Sequence, residues 1–314
     1  MKRSLTDFRG KRVTLVGLGA RTNVELAREL VRRGAIVTLN DRKTADQLQL
    51  ELSLIRNLPV RLVLGGHPPE AFADAEWIFV SPGVPRELPA LVEAKARGVT
   101  ISSEIELLFA DCPVPIVAIT GSSGKTTTTT LVGEMLKATG RPTYVGGNIG
   151  VPLINRLHEI PDDAIVVLEL SSFQLENLAQ SPWVGALLNL SPNHLDRHQT
   201  MERYFAAKLN IVAHQGPDDT AVLGLDNEWC RRAAARCRGR VRWFSRLQPV
   251  EEGACLDRER LVLRCGGIEA HICDRSELRL LGEHNVANVL AAVCVASAAG
   301  AGLDQIRQVA TTFT

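Results

Sequence analysis

Ile119-Thr120-Gly121-Ser122-Ser123-Gly124-Lys125-Thr126 is the stretch that decides how this chain is read. An apolar run, Ile116 to Ile119, leads into it, and a helical pattern, Lys125 to Thr139, leads out. A glycine-rich turn between a strand and a helix is a phosphate cradle. Its glycines let backbone N–H groups turn inward, and the helix start adds positive potential. Lys125 would reach the β- and γ-phosphates of a nucleotide, and Thr126 would offer its hydroxyl to Mg²⁺. The remaining N–H groups come from Gly121, Ser122, Ser123, Gly124 and Thr127. The motif is two residues shorter than the common phosphate loop. A plain Gly-Ser turn before an ordinary helix is the bland alternative. Strand, glycines, Lys and Thr falling in order speak against it.

Working outward, apolar β-branched runs alternate with helical patterns on both sides, which predicts parallel α/β sheets. Before the loop, strands are expected at Arg12 to Val16, Ala35 to Asn40, Trp77 to Val80 and Val99 to Ser102. Helices are expected at Asn23 to Arg33 and Leu88 to Ala96. Asp111-Cys112-Pro113-Val114-Pro115 breaks the pattern and reads as a linker. After the loop, Ala164 to Leu170 and Val184 to Leu190 read as strands, and Tyr204 to His214 as a helix. Short strands follow from Ala221, then an apolar helix from Val286 to Ala298. The expected architecture is α/β: an N-terminal Rossmann-like domain over residues 1–112, then a phosphate-loop ATPase-type domain with a parallel sheet over 113–314.

Length and composition agree. At 314 residues the chain is too long for one ordinary core. A formal net charge of +1 supplies no basic field for nucleic acid. No window approaches the roughly 18–20 apolar residues of a membrane helix. Seven cysteines without a CxxC spacing fit neither a disulfide framework nor a zinc site, and suggest a reducing cytoplasm. Neither a nucleic-acid nor a membrane partner is expected.

In the first half, Gly17-Leu18-Gly19 follows a strand as in a dinucleotide unit, but Thr22 stands where the third glycine would be. Asp41 ends the second strand, where an acidic residue often meets a sugar hydroxyl, and Ser81-Pro82-Gly83 ends another. A tight turn made for packing explains these residues equally well. In the second half, Glu169 ends a buried strand and would point into a ligand crevice. With Thr126 it could hold Mg²⁺, or it could simply be salt-bridged. His194 follows the next strand and on its own reads as structural. Lys208 lies at the edge of an apolar helix face, where snorkelling to solvent is the default.

Four stretches together resemble the Mur ligase family of cell-wall amide ligases: Ala118 to Thr127; Gly146-Gly147-Asn148-Ile149-Gly150; Leu168-Glu169-Leu170-Ser171-Ser172-Phe173-Gln174-Leu175; and Leu281-Gly282-Glu283-His284-Asn285-Val286-Ala287-Asn288. The third is most similar to the branch that adds D-glutamate. The resemblance implies ATP and Mg²⁺ at two sites, UDP-N-acetylmuramoyl-L-alanine and D-glutamate as substrates, and a monomer working in cytoplasmic peptidoglycan precursor synthesis. ATP would phosphorylate the alanyl carboxylate, and the amine of D-glutamate would displace phosphate. Lys125, His194 and Lys208 would be catalytic. Thr126 and Glu169 would hold one Mg²⁺, and His194 with a carbamylated Lys208 the second. Asn285 and Asn288 would face adenine. Asn148 and His194 would contact the muramoyl substrate. Gly19, Ala20, Arg21, Thr22, Asp41, Arg42, Ser81 and Gly83 would hold UDP.

Several features depart from the family pattern. The loop Ala20-Arg21-Thr22-Asn23 is one residue longer than usual, and Asn193 and Asn227 stand where Asp is common. The sequence ends at Thr314, where a third domain carrying the D-glutamate site is expected. The resemblance therefore implies a chain that binds substrates and turns over poorly or not at all. A sibling ligase of the folylpolyglutamate type and a non-enzymatic UDP-sugar-binding protein stay open as alternatives.

Overall fold

The computed structural model describes residues 5–19 and 22–314. The chain forms two compact units. One comprises residues 1–113 together with 151–160, the other residues 114–150 and 161–314.

The first unit runs β1 (Arg12–Val16), α1 (Asn23–Arg32), β2 (Ile36–Asp41), α2 (Gln49–Ile55), β3 (Val60–Leu64), β4 (Trp77–Val80), α3 (Pro89–Ala96), β5 (Thr100–Ser102) and α4 (Glu104–Asp111). Its strands pair in parallel in the order β3-β2-β1-β4-β5. The order reverses at β1, so a crevice opens beyond the carboxyl ends of β1 and β4, where ligands of such sheets bind. The 3-10 segment Ile154–Glu159 returns from the later sequence to pack on α1 and α4. Leu153, Ile154 and Leu157 are buried there, and Asn155 donates to Glu25 at 2.6 Å.

A charged network closes the base of this unit. The Arg33 side chain, 5% exposed, donates to Glu29 at 2.6 Å and to Asp111. Asp111 also accepts from the backbone and hydroxyl of Thr6. Arg32 forks onto Glu29 at 2.7 and 2.8 Å. Burial would raise the Glu29 carboxyl, but the two guanidiniums outweigh it and hold it below the usual range.

The second unit runs β6 (Ile116–Thr120), α5 (Lys125–Lys137), β7 (Thr143–Gly147), β8 (Ile165–Glu169), α6 (Ser172–Leu175), β9 (Val184–Leu187), α7 (Leu195–His198), α8 (Met201–Leu209), β10 (Thr220–Gly224), α9 (Glu228–Ala234), β11 (Arg240–Ser245), β12 (Gly253–Asp257), β13 (Arg260–Cys265), β14 (Ile268–Asp274), α10 (Glu283–Ala298) and α11 (Leu303–Thr312). Nine strands form one sheet in the order β14-β13-β12-β11-β10-β9-β6-β8-β7. Strands β7 to β12 are parallel with their neighbours, while β12, β13 and β14 add an antiparallel flank to the expected parallel sheet. Strands β6 and β8 are buried along their whole length, as their unbroken apolar runs require. From Val286 onward helix α10 is nearly all apolar because α5, β11 and β12 enclose it.

Two expected elements shift. The helix expected over 204–214 starts at Met201, where the Thr200 hydroxyl accepts from Arg203 N at 3.2 Å and caps it, and ends at Leu209. The strand expected to reach Leu190 stops at Leu187, because the chain then turns toward the phosphate loop. Strands β3 and β7 and helix α2 lie where no element is expected. Among the described residues, no helix is long and apolar enough to cross a membrane.

Candidate functional site

In the second unit the phosphate loop leaves β6 at the sheet's reversal, with β8 on one side and β9 on the other. Gly124 has φ of +78° and is the residue before α5. A side chain there would be strained by its backbone and would also run into the Asn288 side chain of α10. Lys125 folds back over the loop, donating to the carbonyls of Gly121 at 3.1 Å and Ser122 at 3.2 Å. Asn189 braces the other side. Its backbone carbonyl accepts from Ser122 N at 2.9 Å, and its side-chain oxygen from Ser123 N at 3.1 Å.

The Thr126 hydroxyl donates to Glu169 Oε2 at 2.7 Å, and Asn148 Nδ2 donates to Glu169 Oε1 at 2.7 Å. The structure thus brings Thr126, Asn148 and Glu169 into one cluster beside Lys125. A carboxylate and a hydroxyl this close supply the hard oxygen donors that Mg²⁺ takes together with phosphate. Among the described residues no group of three His, Cys, Asp or Glu side chains is placed to hold a metal ion.

Lys208 corrects the snorkelling expectation. It is 1% exposed, and its ammonium donates to the Thr120 hydroxyl at 2.9 Å and lies 5.2 Å from the Tyr204 ring centre. Burial first, then repulsion from Lys125, brings it down to about 7, with Glu169 partly offsetting both. An interior lysine near neutrality is a usable amine nucleophile. His194 is exposed, in a left-handed conformation with φ of 54°, its ring 5.1 Å from that of Phe173.

The sequence reading missed His198. It is buried, stacked on Phe173 with ring centres 5.2 Å apart, and bonded through Nε2 to the Ser172 hydroxyl at 3.0 Å. Burial holds it below its ordinary range. Its ring lies 5.2 Å from that of Tyr204, whose hydroxyl meets Ser122 at 3.1 Å.

A cleft of about 770 Å³ opens beside the loop. Ser123, Gly124, Thr127, Asn285 and Asn288, which the resemblance assigns to ATP, line it together with Asp226, Arg246 and Glu283. Asn288 donates to Asn285 at 3.1 Å, and Arg246 pairs with Glu283 at 2.5 Å. Asn227 caps α9 and donates to the Leu190 carbonyl at 2.9 Å.

In the first unit, Gly17, Gly19, Ser81 and Asp41 gather at the ends of β1, β2 and β4. A Cβ placed on Gly17 would lie 3.1 Å from that of Ser81. Both Asp41 oxygens accept backbone N–H groups, from Leu18 at 2.7 Å and Lys43 at 2.8 Å. The carboxylate therefore ties the first glycine turn to the second strand. Thr22 N donates to Gly19 O at 3.1 Å, and Arg42 and Gly83 are exposed. Ala20 and Arg21, also expected to bind UDP, lie outside the described residues.

Known proteins add a second line of evidence. Residues 119–296 match the Mur ligase middle domain, and residues 11–103 the MurD-like N-terminal domain of Mur ligases. The chain is 48% identical to the UDP-N-acetylmuramoylalanine–D-glutamate ligase of Symbiobacterium thermophilum, over 97% of this chain and 67% of that protein. It is 43% identical to the same enzyme of Koribacter versatilis, over 98% and 68%. It thus spans about two thirds of the length of these curated relatives. Among solved structures, the UDP-N-acetylmuramate:L-alanyl-gamma-D-glutamyl-meso-diaminopimelate ligase from Neisseria meningitides shares the fold at a TM-score of 0.67 and 17% identity, covering 97% of this chain and 98% of that one. The UDP-N-acetylmuramate–alanine ligase from Thermotoga maritima does so at 0.58 and 20%, covering 96% and 68%. With both domain matches in sequence order, these identities place the chain in the Mur ligase family, in its UDP-N-acetylmuramoylalanine–D-glutamate ligase branch.

Proposed function

We propose that this chain carries the nucleotide-sugar and ATP sites of a ligase that joins D-glutamate to UDP-N-acetylmuramoyl-L-alanine. The reading rests above all on the phosphate loop, with Lys125 over its mouth and Thr126 in contact with Glu169 at 2.7 Å. The γ-phosphoryl group of ATP moves to the alanyl carboxylate, giving an acyl phosphate and ADP. The D-glutamate amine then attacks the acyl carbon and loses a proton, and inorganic phosphate leaves. Each step brings anions together, so the site must supply fixed positive charge and oriented N–H groups. Lys125 and the start of α5 supply both.

Thr126 and Glu169 would hold one Mg²⁺, which neutralises phosphate charge when bound. Lys208, near neutrality in the interior, is suited to add CO₂ as a carbamate with loss of a proton. That converts a cation into the anionic oxygen donor that a second Mg²⁺ would share with His194. Asn148 would orient the muramoyl end, and Asn285 and Asn288 the adenine.

Calorimetric titration with Mg·ATP tests the central claim. The wild-type chain should bind it, and Lys125→Ala should bind at least tenfold more weakly, because phosphate oxygens lose a charge-assisted partner. Equal affinities would refute the assignment. D-glutamate-dependent phosphate release in the presence of UDP-N-acetylmuramoyl-L-alanine is the assay for the whole reaction.

A further inference from the structure

The end of β3 prepares a hydrogen-bond acceptor beside Asp41. Gly65 N donates to Lys43 O at 2.9 Å and Gly66 N to Asp41 O at 3.2 Å, so the loop after β3 is fastened to the turn after β2. Under it lies the fully buried Asn40. Asn40 Nδ2 donates to the carbonyls of Val63 and Gly66, both at 2.8 Å. These two bonds fix the amide's orientation, and they leave Oδ1 facing His67 Nδ1 at 2.6 Å.

An amide oxygen only accepts, so Nδ1 must carry the hydrogen. In a neutral imidazole the lone pair is then on Nε2. Burial keeps the ring below its ordinary range, opposed by Asp41 and reinforced by Arg42, so at pH 7.5 it is neutral. Nε2 has no hydrogen-bond partner among the described residues. Both Asp41 oxygens already hold backbone N–H groups. Each of those oxygens keeps a further lone pair, and His67 Nε2 adds to this sheet corner an acceptor that is fixed by its tautomer.

We propose that His67 is a specificity residue of the nucleotide site, its Nε2 accepting the N3–H of a uracil base. This rests on the reading that the first unit takes a UDP nucleotide. Uracil presents an N–H at N3 where cytosine presents a lone pair. An acceptor held in one tautomer therefore favours uridine and leaves cytidine unpaired, which is the kind of mismatch a site rejects strongly.

The test titrates the 314-residue chain with UDP, CDP, N3-methyl-UDP and 2′,3′-dideoxy-UDP, as wild type, His67→Phe and His67→Gln. Wild type should prefer UDP over CDP and over N3-methyl-UDP by about tenfold. In His67→Phe the preference should shrink below about twofold while CDP affinity stays at the wild-type level, which a collapsed site could not do. His67→Gln, which keeps an acceptor, should recover part of the preference. Discrimination that survives in His67→Phe overturns the proposal. So does a penalty that follows the missing ribose hydroxyls instead of the N3-methyl group. UDP binding by wild type without base discrimination overturns this inference alone, whereas no UDP binding overturns the nucleotide-site reading as well.

Discussion

Gly124→Ala isolates how α10 grips the phosphate loop. The backbone at φ of +78° costs an L-residue about 1–2 kcal/mol. The alanine's smaller unfolded-state entropy returns about 0.4–1 kcal/mol, leaving roughly 1 kcal/mol. The new methyl group also meets Asn288, which must turn away and lose its 3.1 Å bond to Asn285, at about 1 kcal/mol more. The expected loss is about 2 kcal/mol. Urea unfolding followed by the fluorescence of Trp183, Trp229 and Trp243, all in the second unit, measures it. In an Asn288→Ala background the collision disappears, and Gly124→Ala should cost only about 1 kcal/mol. Equal costs in both backgrounds would show that Asn288 does not restrain the loop, and the reasoning would fail.

Arg33→Met should destabilise the first unit by about 3–5 kcal/mol, since it leaves Asp111 and Glu29 buried with one partner fewer; urea unfolding followed by Trp77 fluorescence reads it. Because the folded Glu29 carboxyl is held below its unfolded value, its contribution is present above the ordinary carboxylate range and is lost as pH falls through the folded value; Glu29→Gln should flatten that acid limb. For Lys208, folded near 7 and unfolded near 10.4, the unfolded chain binds more protons between those values. Stability gains from this group as pH rises across that window, and Lys208→Met should remove the slope in pH-dependent urea midpoints.

Much of this was legible because the relevant signals are local. A strand, glycines, Lys and Thr within eight residues specify the loop, and the burial of β6 and β8 follows from unbroken apolar runs. Lys208 was misjudged on residue type because its burial is set from a distance, by Thr120 of β6, 88 positions away in sequence. Asp41 gained a role for the same reason. A strand-end carboxylate reads as a ligand contact, and only the fold shows that it also accepts the backbone N–H groups of Leu18 and Lys43. His198 and His67 gave no sequence signal, since a single imidazole means little without Ser172 or Asn40 beside it. The antiparallel flank of β12, β13 and β14 lay in short, weakly patterned runs where period alone does not separate strand from loop.

The return of residues 151–160 to the first unit bears on the order of events during synthesis. Leu153, Ile154 and Leu157 belong to a body whose other residues leave the ribosome some forty positions earlier. That body cannot finish its interior until β6, the phosphate loop, α5 and β7 have been translated. A nascent chain halted before residue 151 would keep the α1 and α4 faces uncovered. The two units are thus coupled in time on the ribosome, and a gene fragment ending at the proline linker would encode the first of them only in part.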